Sequence, residues 1–190
     1  MSSLEALYQQ VILDHSRRRS GEGPTGDFEF TSFQVNPTCG DEVTLGVKVD
    51  DEGRPVEVTW EGDGCSISQA SLSMMVEELQ SADLERVREL YGAMETMMHS
   101  RGKGVADDLL DQLGDGAALE GTSKFPNRVK CALLGWYALR DAMAKAGVDI
   151  TEVAEISAKG DGAEGDRDNG DRESDDGGKS GESNDTEENK

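Results

Sequence analysis

The sequence predicts an α+β fold, in which a small antiparallel sheet of about three strands packs against several helices. Residues 43–50 and 56–61 alternate between apolar and polar side chains on either side of a short polar turn, which is the pattern of a half-buried β-hairpin. Apolar residues recur at helical spacing before this hairpin and through most of residues 67–145. The hairpin therefore supplies two strands, and most of the remaining domain is helical.

One helix and one strand are predicted before the hairpin. Residues 3 to about 16 are predicted to form an amphipathic helix, because apolar side chains recur on one face: Leu4, Leu7, Tyr8, Val11 and Ile12. The helix leads into the basic cluster at residues 17–19, which is either a solvated helix end or a docking patch. A glycine-rich loop follows, and residues 28–35 are predicted to form the first strand.

The second and third strands are predicted to pair antiparallel about the turn at residues 50–55. In this register the numbers of facing residues sum to about 105. Asp41 is therefore expected opposite about Gly64, next to Cys65. The pairing brings two distant segments of the chain to one end of the hairpin.

Four helices are predicted after the hairpin. The first covers residues 67–80, with Ser66 and Gln69 in the form of a capping box, and the second begins at Ser81. A short helix is expected at residues 107–113, and residues 114–121 are expected to form a loop. Pro126 suits the first turn of the last helix, which Gly147 is expected to end.

The composition limits the classes of partner. The chain has 190 residues, 40 of them acidic and 19 basic, and a formal net charge of −21. This balance argues against nucleic acids and anionic membranes as partners, because both are polyanions. It is consistent with a halophilic source, and equally with ordinary solubility and an acidic tail.

The domain organisation follows from where apolar residues occur. After residue 156 the chain is rich in Gly, Asp, Glu, Ser and Asn and has almost no apolar residue, so it cannot bury enough surface to fold. We expect one domain over residues 1–148 and a disordered acidic tail over residues 149–190. No apolar run is long enough for a membrane span, and the N-terminus lacks the features of a signal peptide, so a cytoplasmic protein is expected.

Three cysteines and one aspartate occupy positions suited to a metal site. Cys39 and Asp41 lie two residues apart on a predicted turn, Cys65 precedes a helix, and Cys131 lies early in the last helix. Each cysteine alone is more commonly a small buried residue. Together the four residues have the number and type of ligands of a tetrahedral zinc centre or an iron–sulfur cluster.

Three motifs carry a resemblance to a known family. They are Pro-Thr-Cys-Gly-Asp at residues 37–41, Gly-Cys-Ser-Ile-Ser at residues 64–68, and Arg-Val-Lys-Cys-Ala-Leu-Leu-Gly-Trp at residues 128–136. In this order they resemble the cysteine motifs of the IscU/NifU N-terminal family of iron–sulfur assembly proteins, over residues 4–147. Lys130 stands where IscU-type scaffolds carry histidine, and residues 102–119 look like the insertion of the SufU type, so the chain is closer to SufU.

The resemblance implies an IscU-like fold and a function in sulfur transfer. It implies zinc held by Cys39, Asp41, Cys65 and Cys131. It also implies that Cys39 accepts persulfide sulfur from a SufS-type, pyridoxal-phosphate-dependent cysteine desulfurase, for delivery to a downstream Suf scaffold or apo-acceptor protein. Arg128, one helical turn before Cys131, is a candidate for stabilising the Cys39 thiolate.

Other functions remain open from the sequence. The main alternative is a non-enzymatic scaffold that assembles a transient [2Fe–2S] cluster on the same ligands, and a structural zinc domain is a third. Lys130 argues against the scaffold, because one ligand option is missing. His15 and His99 are further ligand types, but each is predicted on a helix away from the three motifs.

Overall fold

The computed structural model describes residues 2–151 and confirms the α+β class. Its helices and strands follow in this order: α1 (Ser3–Arg18), β1 (Phe30–Asn36), β2 (Asp41–Val49), β3 (Pro55–Asp63), α2 (Ser66–Leu79), α3 (Leu84–His99), α4 (Asp107–Leu113), a 3-10 helix (Gly114–Lys124) and α5 (Pro126–Lys145). Apart from its first three positions, the predicted tail lies outside the described residues. None of the helices within residues 2–151 is long and apolar enough to cross a membrane.

The sheet is antiparallel with the order β1-β2-β3. Glu42 pairs with Asp63 and Val47 with Val58, so the predicted register of the hairpin is confirmed. Gly64 continues this register beyond β3, and a Cβ atom placed there would lie 3.1 Å from the carboxyl carbon of Asp41 and would collide with the Ser68 hydroxyl. Only glycine therefore allows the end of the hairpin to approach the start of α2 so closely.

The core lies between the sheet and the helices α2, α3 and α5. β2 contributes Val43, Leu45 and Val47, which are fully buried. Five methionines of α2 and α3 are also buried and fill the core: Met74, Met75, Met94, Met97 and Met98. Packing continues to Ile150, two residues beyond the predicted domain boundary, because this side chain is also buried.

Three local predictions were wrong. The second helix after the hairpin begins at Leu84 rather than at Ser81, because Asp83 is its N-cap and accepts from the backbone N–H of Arg86. Residues 114–124 form a 3-10 helix rather than a loop, since Ala118, Leu119 and Thr122 are buried and their packing outweighs the local glycines. The capping box at Ser66 does not form, because Cys65 is the N-cap residue of α2 and the Gln69 side chain donates to the Gly64 carbonyl instead.

Candidate metal centre

Three chain segments that are far apart in sequence meet at one end of the hairpin. Asp41 begins β2, Cys65 precedes α2, and Cys131 lies in the second turn of α5. One ligand atom from each of these residues lies within 4.8 Å of the other two. The sequence predicted the proximity of Asp41 and Cys65 from the hairpin register, and α5 brings the third residue to the same place.

Asp41 is buried and only partly satisfied by the protein. Its Oδ1 accepts a hydrogen bond of 3.1 Å from the backbone N–H of Cys65, which ties β2 to the start of α2. Its Oδ2 is buried and has no hydrogen-bond partner among the described residues. A buried carboxylate oxygen without a partner is costly, and a bound cation would satisfy it. Asp41 therefore fits the role of a metal ligand.

Cys131 is a buried thiol whose surroundings favour the protonated form. Asn36 Nδ2 donates to Cys131 Sγ at 3.3 Å. Burial, followed by the proximity of Asp41, Cys39 and Cys65, raises the pKa of the Cys131 thiol well above its ordinary value. A metal that binds here must displace the thiol proton.

Cys39 lies at the edge of this centre rather than within the group of three. It is exposed, on the turn between β1 and β2. Two backbone hydrogen bonds to the Asn36 carbonyl, from Cys39 and Gly40, build the turn, and Gly40 has a φ of +74° that other residues rarely adopt. The Cys39 thiol contributes to the raised pKa of the Cys131 thiol, which shows that the two thiols are neighbours. Cys65 is exposed as well, but it lies at the N-cap of α2, whereas Cys39 lies on a turn.

The other predicted site residues lie elsewhere. Arg128 is exposed, and its guanidinium lies over the Phe125 ring, 4.6 Å from the ring centroid, rather than on a thiol. His15 is buried between Ser73 and Asp115, whose oxygens lie 3.1 and 2.9 Å from its ring nitrogens. His99 Nδ1 hydrogen-bonds to the Glu95 carbonyl of its own helix. Neither histidine is part of the centre.

Sequence reasoning missed two residues that support the centre. The Asn36 side chain contacts Cys131 and also accepts from the backbone N–H of Thr38. Ser68 Oγ donates to the Cys65 carbonyl at 2.9 Å and lies 3.8 Å from Cys65 Sγ. Asn36 sits directly before Pro37 and three residues before Cys39, and this position is the signal that could have identified it.

The donor set is consistent with zinc. Two thiols and one carboxylate converge, and a third thiol borders them, which is the number and type of donors that a tetrahedral zinc site takes. The family model described as the NifU-like N terminal domain matches residues 7–132. The chain belongs to this family. The matched residues include Cys39, Asp41, Cys65 and Cys131.

Characterised members of the NifU-like N-terminal family resemble this chain over most of its length. This chain is 43% identical over 145 residues to the zinc-dependent sulfurtransferase SufU of Bacillus subtilis (strain 168). The match covers 76% of this chain and 94% of that protein. It is 35% identical over 146 residues to the iron–sulfur cluster assembly scaffold protein IscU of Streptococcus pyogenes serotype M1, covering 77% and 88%.

A solved structure of the same type supports the fold. The crystal structure named for an iron–sulfur cluster assembly scaffold of the SUF system (FiSufU) from Fervidobacterium islandicum AW-1 superposes with a TM-score of 0.62 at 32% identity. The match covers 75% of this chain and 99% of that one. The described domain therefore corresponds to the whole of a NifU-like N-terminal protein.

Proposed function

We propose that this protein acts in iron–sulfur cluster assembly as a zinc-dependent sulfurtransferase, supplied with persulfide sulfur by a SufS-type, pyridoxal-phosphate-dependent cysteine desulfurase. The observation that carries the proposal is the unpartnered Asp41 Oδ2, buried beside two thiols and bordered by the exposed Cys39. Similarity to a zinc-dependent sulfurtransferase supports it. We expect the protein to work in the cytoplasm and to pass sulfur to a Suf scaffold or apo-acceptor protein.

The proposed zinc ligands are Cys39, Asp41, Cys65 and Cys131. Bound zinc would keep its cysteine ligands as thiolates at neutral pH. Asp41 neutralises part of the metal charge through a hard oxygen donor, while its other oxygen holds the N-terminus of α2 in place. All of these residues belong to the proposed domain of residues 1–148, and the acidic segment 149–190 contains neither cysteine nor histidine.

Cys39 is the proposed sulfur acceptor. Its thiolate attacks the terminal sulfur of the donor persulfide, a new S–S bond forms at Cys39, and the donor S–S bond breaks. The donor cysteine leaves as a thiolate, so sulfur moves without net oxidation or reduction. Exposure and a glycine-containing turn suit Cys39 to this step. Cys65 is also exposed but is fixed at the N-cap of α2, and Cys131 is buried within a helix.

Arg128 is proposed to stabilise the Cys39 thiolate. In the structure its guanidinium stacks on Phe125, so the role requires the side chain to turn from that ring towards the thiols. A cation beside a thiolate lowers the thiol pKa and favours the nucleophilic form. Arg128 lies one helical turn before Cys131, and its side chain is exposed.

The test is to map where sulfur is held. Cys39→Ser, Cys65→Ser and Cys131→Ser variants are incubated with the desulfurase and labelled cysteine, and persulfides are located by mass spectrometry. We expect Cys39→Ser to keep the fold and to lose transfer, because an alcohol cannot carry sulfane sulfur. The other two variants should fail through loss of zinc. Turnover preserved in Cys39→Ser, with label on Cys65 or Cys131, would falsify the assignment of Cys39.

A second candidate is a scaffold on which a [2Fe–2S] cluster is assembled as the product. The IscU-named relative, at 35% identity, favours it, and the cysteine and aspartate set suits iron as well. Lys130 directly precedes Cys131, at the position where IscU-type scaffolds carry a histidine. A cluster on this chain would therefore lack that histidine as a possible ligand. Purification without added metal separates the two: about one zinc in a colourless protein supports the sulfurtransferase, and stoichiometric iron and sulfide in a brown protein supports the scaffold.

A further inference from the structure

Five cations between residues 101 and 130 make no ion pair within the described part of the chain. They are exposed, and we call them the cationic face: Arg101, Lys103, Lys124, Arg128 and Lys130. Most other described cations pair with carboxylates: Arg17, Arg18, Arg19, Lys48, Arg54, Arg86 and Lys145. Arg88 and Arg140 hydrogen-bond to the Asp149 carbonyl and the Tyr91 hydroxyl. Most of the described cations that make no ion pair therefore lie between residues 101 and 130.

Part of the cationic face surrounds a cleft between the end of α3 and the first turns of α5. Arg101, Lys124 and Lys130 line this cleft, which has a volume of about 620 Å³. Its remaining lining is mainly apolar and includes Val129 and Leu133. Gly102 packs directly against the Lys124 side chain. This contact holds the loop of residues 101–104 close to the start of α5. The cleft thus combines a cationic rim with an apolar floor.

Lys124 also borders a second groove, which runs between α1, the 3-10 helix and the start of α5. Lys124 and Arg128 line it together with Ile67, and its volume is about 680 Å³. Phe125 lines this second groove and is 48% exposed. The carboxylate of Glu5 also lines this second groove and offsets part of its positive charge. The lining of the cleft is therefore more positive than the lining of the groove.

The cationic face borders the metal centre. Lys130 immediately precedes Cys131, and Arg128 lies one helical turn before it. Ile67, two residues after Cys65, lines the second groove. A partner that covers this face therefore lies beside the thiols.

Electrostatics makes the face selective. The chain carries a formal net charge of −21, so an acidic partner surface is repelled by most of the protein and attracted at the cationic face. Such an uneven field orients an incoming partner before contact and raises the rate of productive association. The exposed Phe125 and the apolar floor then add short-range contact area.

We propose that the cationic face is the docking surface for an acidic segment of the sulfur-donating desulfurase, with an apolar side chain of that segment seated in the cleft. The inference rests on the proposed function, because it concerns the partner that supplies sulfur to the same centre. It assigns a positioning role to Arg101, Lys124 and Lys130, which lie outside the proposed ligand set. The paired arginines at residues 17–19 are not part of this surface.

The test is the sign of the salt dependence of association. The full-length, zinc-loaded protein is mixed with a SufS-type desulfurase from the same source, and the association rate constant is measured in 50 mM and 500 mM NaCl. The test variant is Arg101→Glu/Lys124→Glu. The control, Lys48→Glu/Lys145→Glu, makes the same charge change at cations that are already paired. Zinc content and melting temperature confirm that both variants fold.

We expect the wild-type rate to fall as salt rises, although both the protein and the docking segment are acidic. The test variant should associate about tenfold more slowly than the wild type in 50 mM NaCl, and the difference should disappear in 500 mM NaCl. The control should slow association much less. Sedimentation velocity on each protein alone then reports whether the face instead joins two copies of the chain.

Three results overturn the inference. Equal slowing by the two variants means that net charge alone matters, and a wild-type rate that rises with salt means that repulsion dominates the encounter. Self-association that the test variant abolishes means that the face joins copies of this chain. In each case the desulfurase still binds and the proposed function stands. No binding of the wild type at either salt concentration contradicts the proposed donor, and with it both proposals.

Discussion

Two aspartates bracket strand β2, and the protein uses them in opposite ways. Asp50 follows the strand and accepts hydrogen bonds from the backbone N–H groups of Glu52 and Arg54, at 3.0 and 2.9 Å, and from Arg54 Nε at 2.7 Å. Asp41 begins the strand, is buried, and keeps one oxygen without a partner among the described residues. Both oxygens of Asp50 therefore stabilise the turn, whereas one oxygen of Asp41 is left for something else.

The pKa of the satisfied carboxyl reflects this difference. Hydrogen bonding from the backbone N–H of Arg54, with smaller contributions from its side chain and from Glu52, lowers the pKa of Asp50 although burial opposes the shift. Asp41 accepts only one backbone hydrogen bond, from Cys65, although its whole carboxylate is buried. A satisfied carboxylate builds local structure, and an unsatisfied one where three elements meet indicates a ligand site.

The largest effect is expected when the metal is removed. Zinc would link β2, α2 and α5 through Asp41, Cys65 and Cys131, so chelation should destabilise the domain by several kcal/mol, with an upper limit on the order of 10 kcal/mol. Thermal unfolding before and after chelation measures the loss, with metal content determined on the same samples. An unchanged transition after confirmed metal loss would show that the centre does not hold these elements together.

The next test exchanges the two aspartates for their amides. Asp41→Asn should weaken zinc binding by at least the roughly 10- to 100-fold that loss of a ligand's hydrogen-bonding partner costs in other metal sites. Asp50→Asn should leave zinc affinity unchanged, because the turn lies at the far end of β2. Competition with a chromophoric chelator gives both affinities. Equal affinities for the two variants would remove Asp41 from the ligand set.

The alternation of apolar residues was sufficient to predict the hairpin and its consequences. A turn of known position fixes which residues face each other, so the register and the approach of Asp41 to Cys65 followed from residues 43–61. The short helix α4 was also predicted with its observed bounds. These features depend on local pattern and on geometry that the chain sequence determines directly.

The features that sequence reasoning missed depend on partners far away in the chain. The backbone N–H of Cys65 is bound by Asp41 from another element, and no local capping pattern reveals that. The 3-10 helix forms because Leu119 has a core to enter. Helical spacing placed Arg128 near Cys131, yet the orientation of its long side chain follows from the Phe125 ring beside it.

The smallest predicted effect concerns acid. Because the pKa of Asp50 is lower in the folded protein than in the unfolded chain, its contribution to stability is complete above the ordinary carboxyl pKa. That contribution is lost as the pH falls through the lowered folded value. Asp50→Asn should therefore lower the melting temperature slightly at neutral pH and flatten its further decline as the pH falls below the ordinary carboxyl pKa.

The exposed neighbour Asp51 provides the matched control for this acid effect. Asp51→Asn removes the same charge from the same turn, but its carboxylate makes no hydrogen bond among the described residues. Acid would also protonate the proposed zinc-binding thiols. Loss of metal would be common to both variants, so only the difference between them isolates Asp50. Asp51→Asn should keep the wild-type decline. Parallel curves for the two variants would show that the charge of the turn, rather than the hydrogen bonds of Asp50, sets its acid sensitivity.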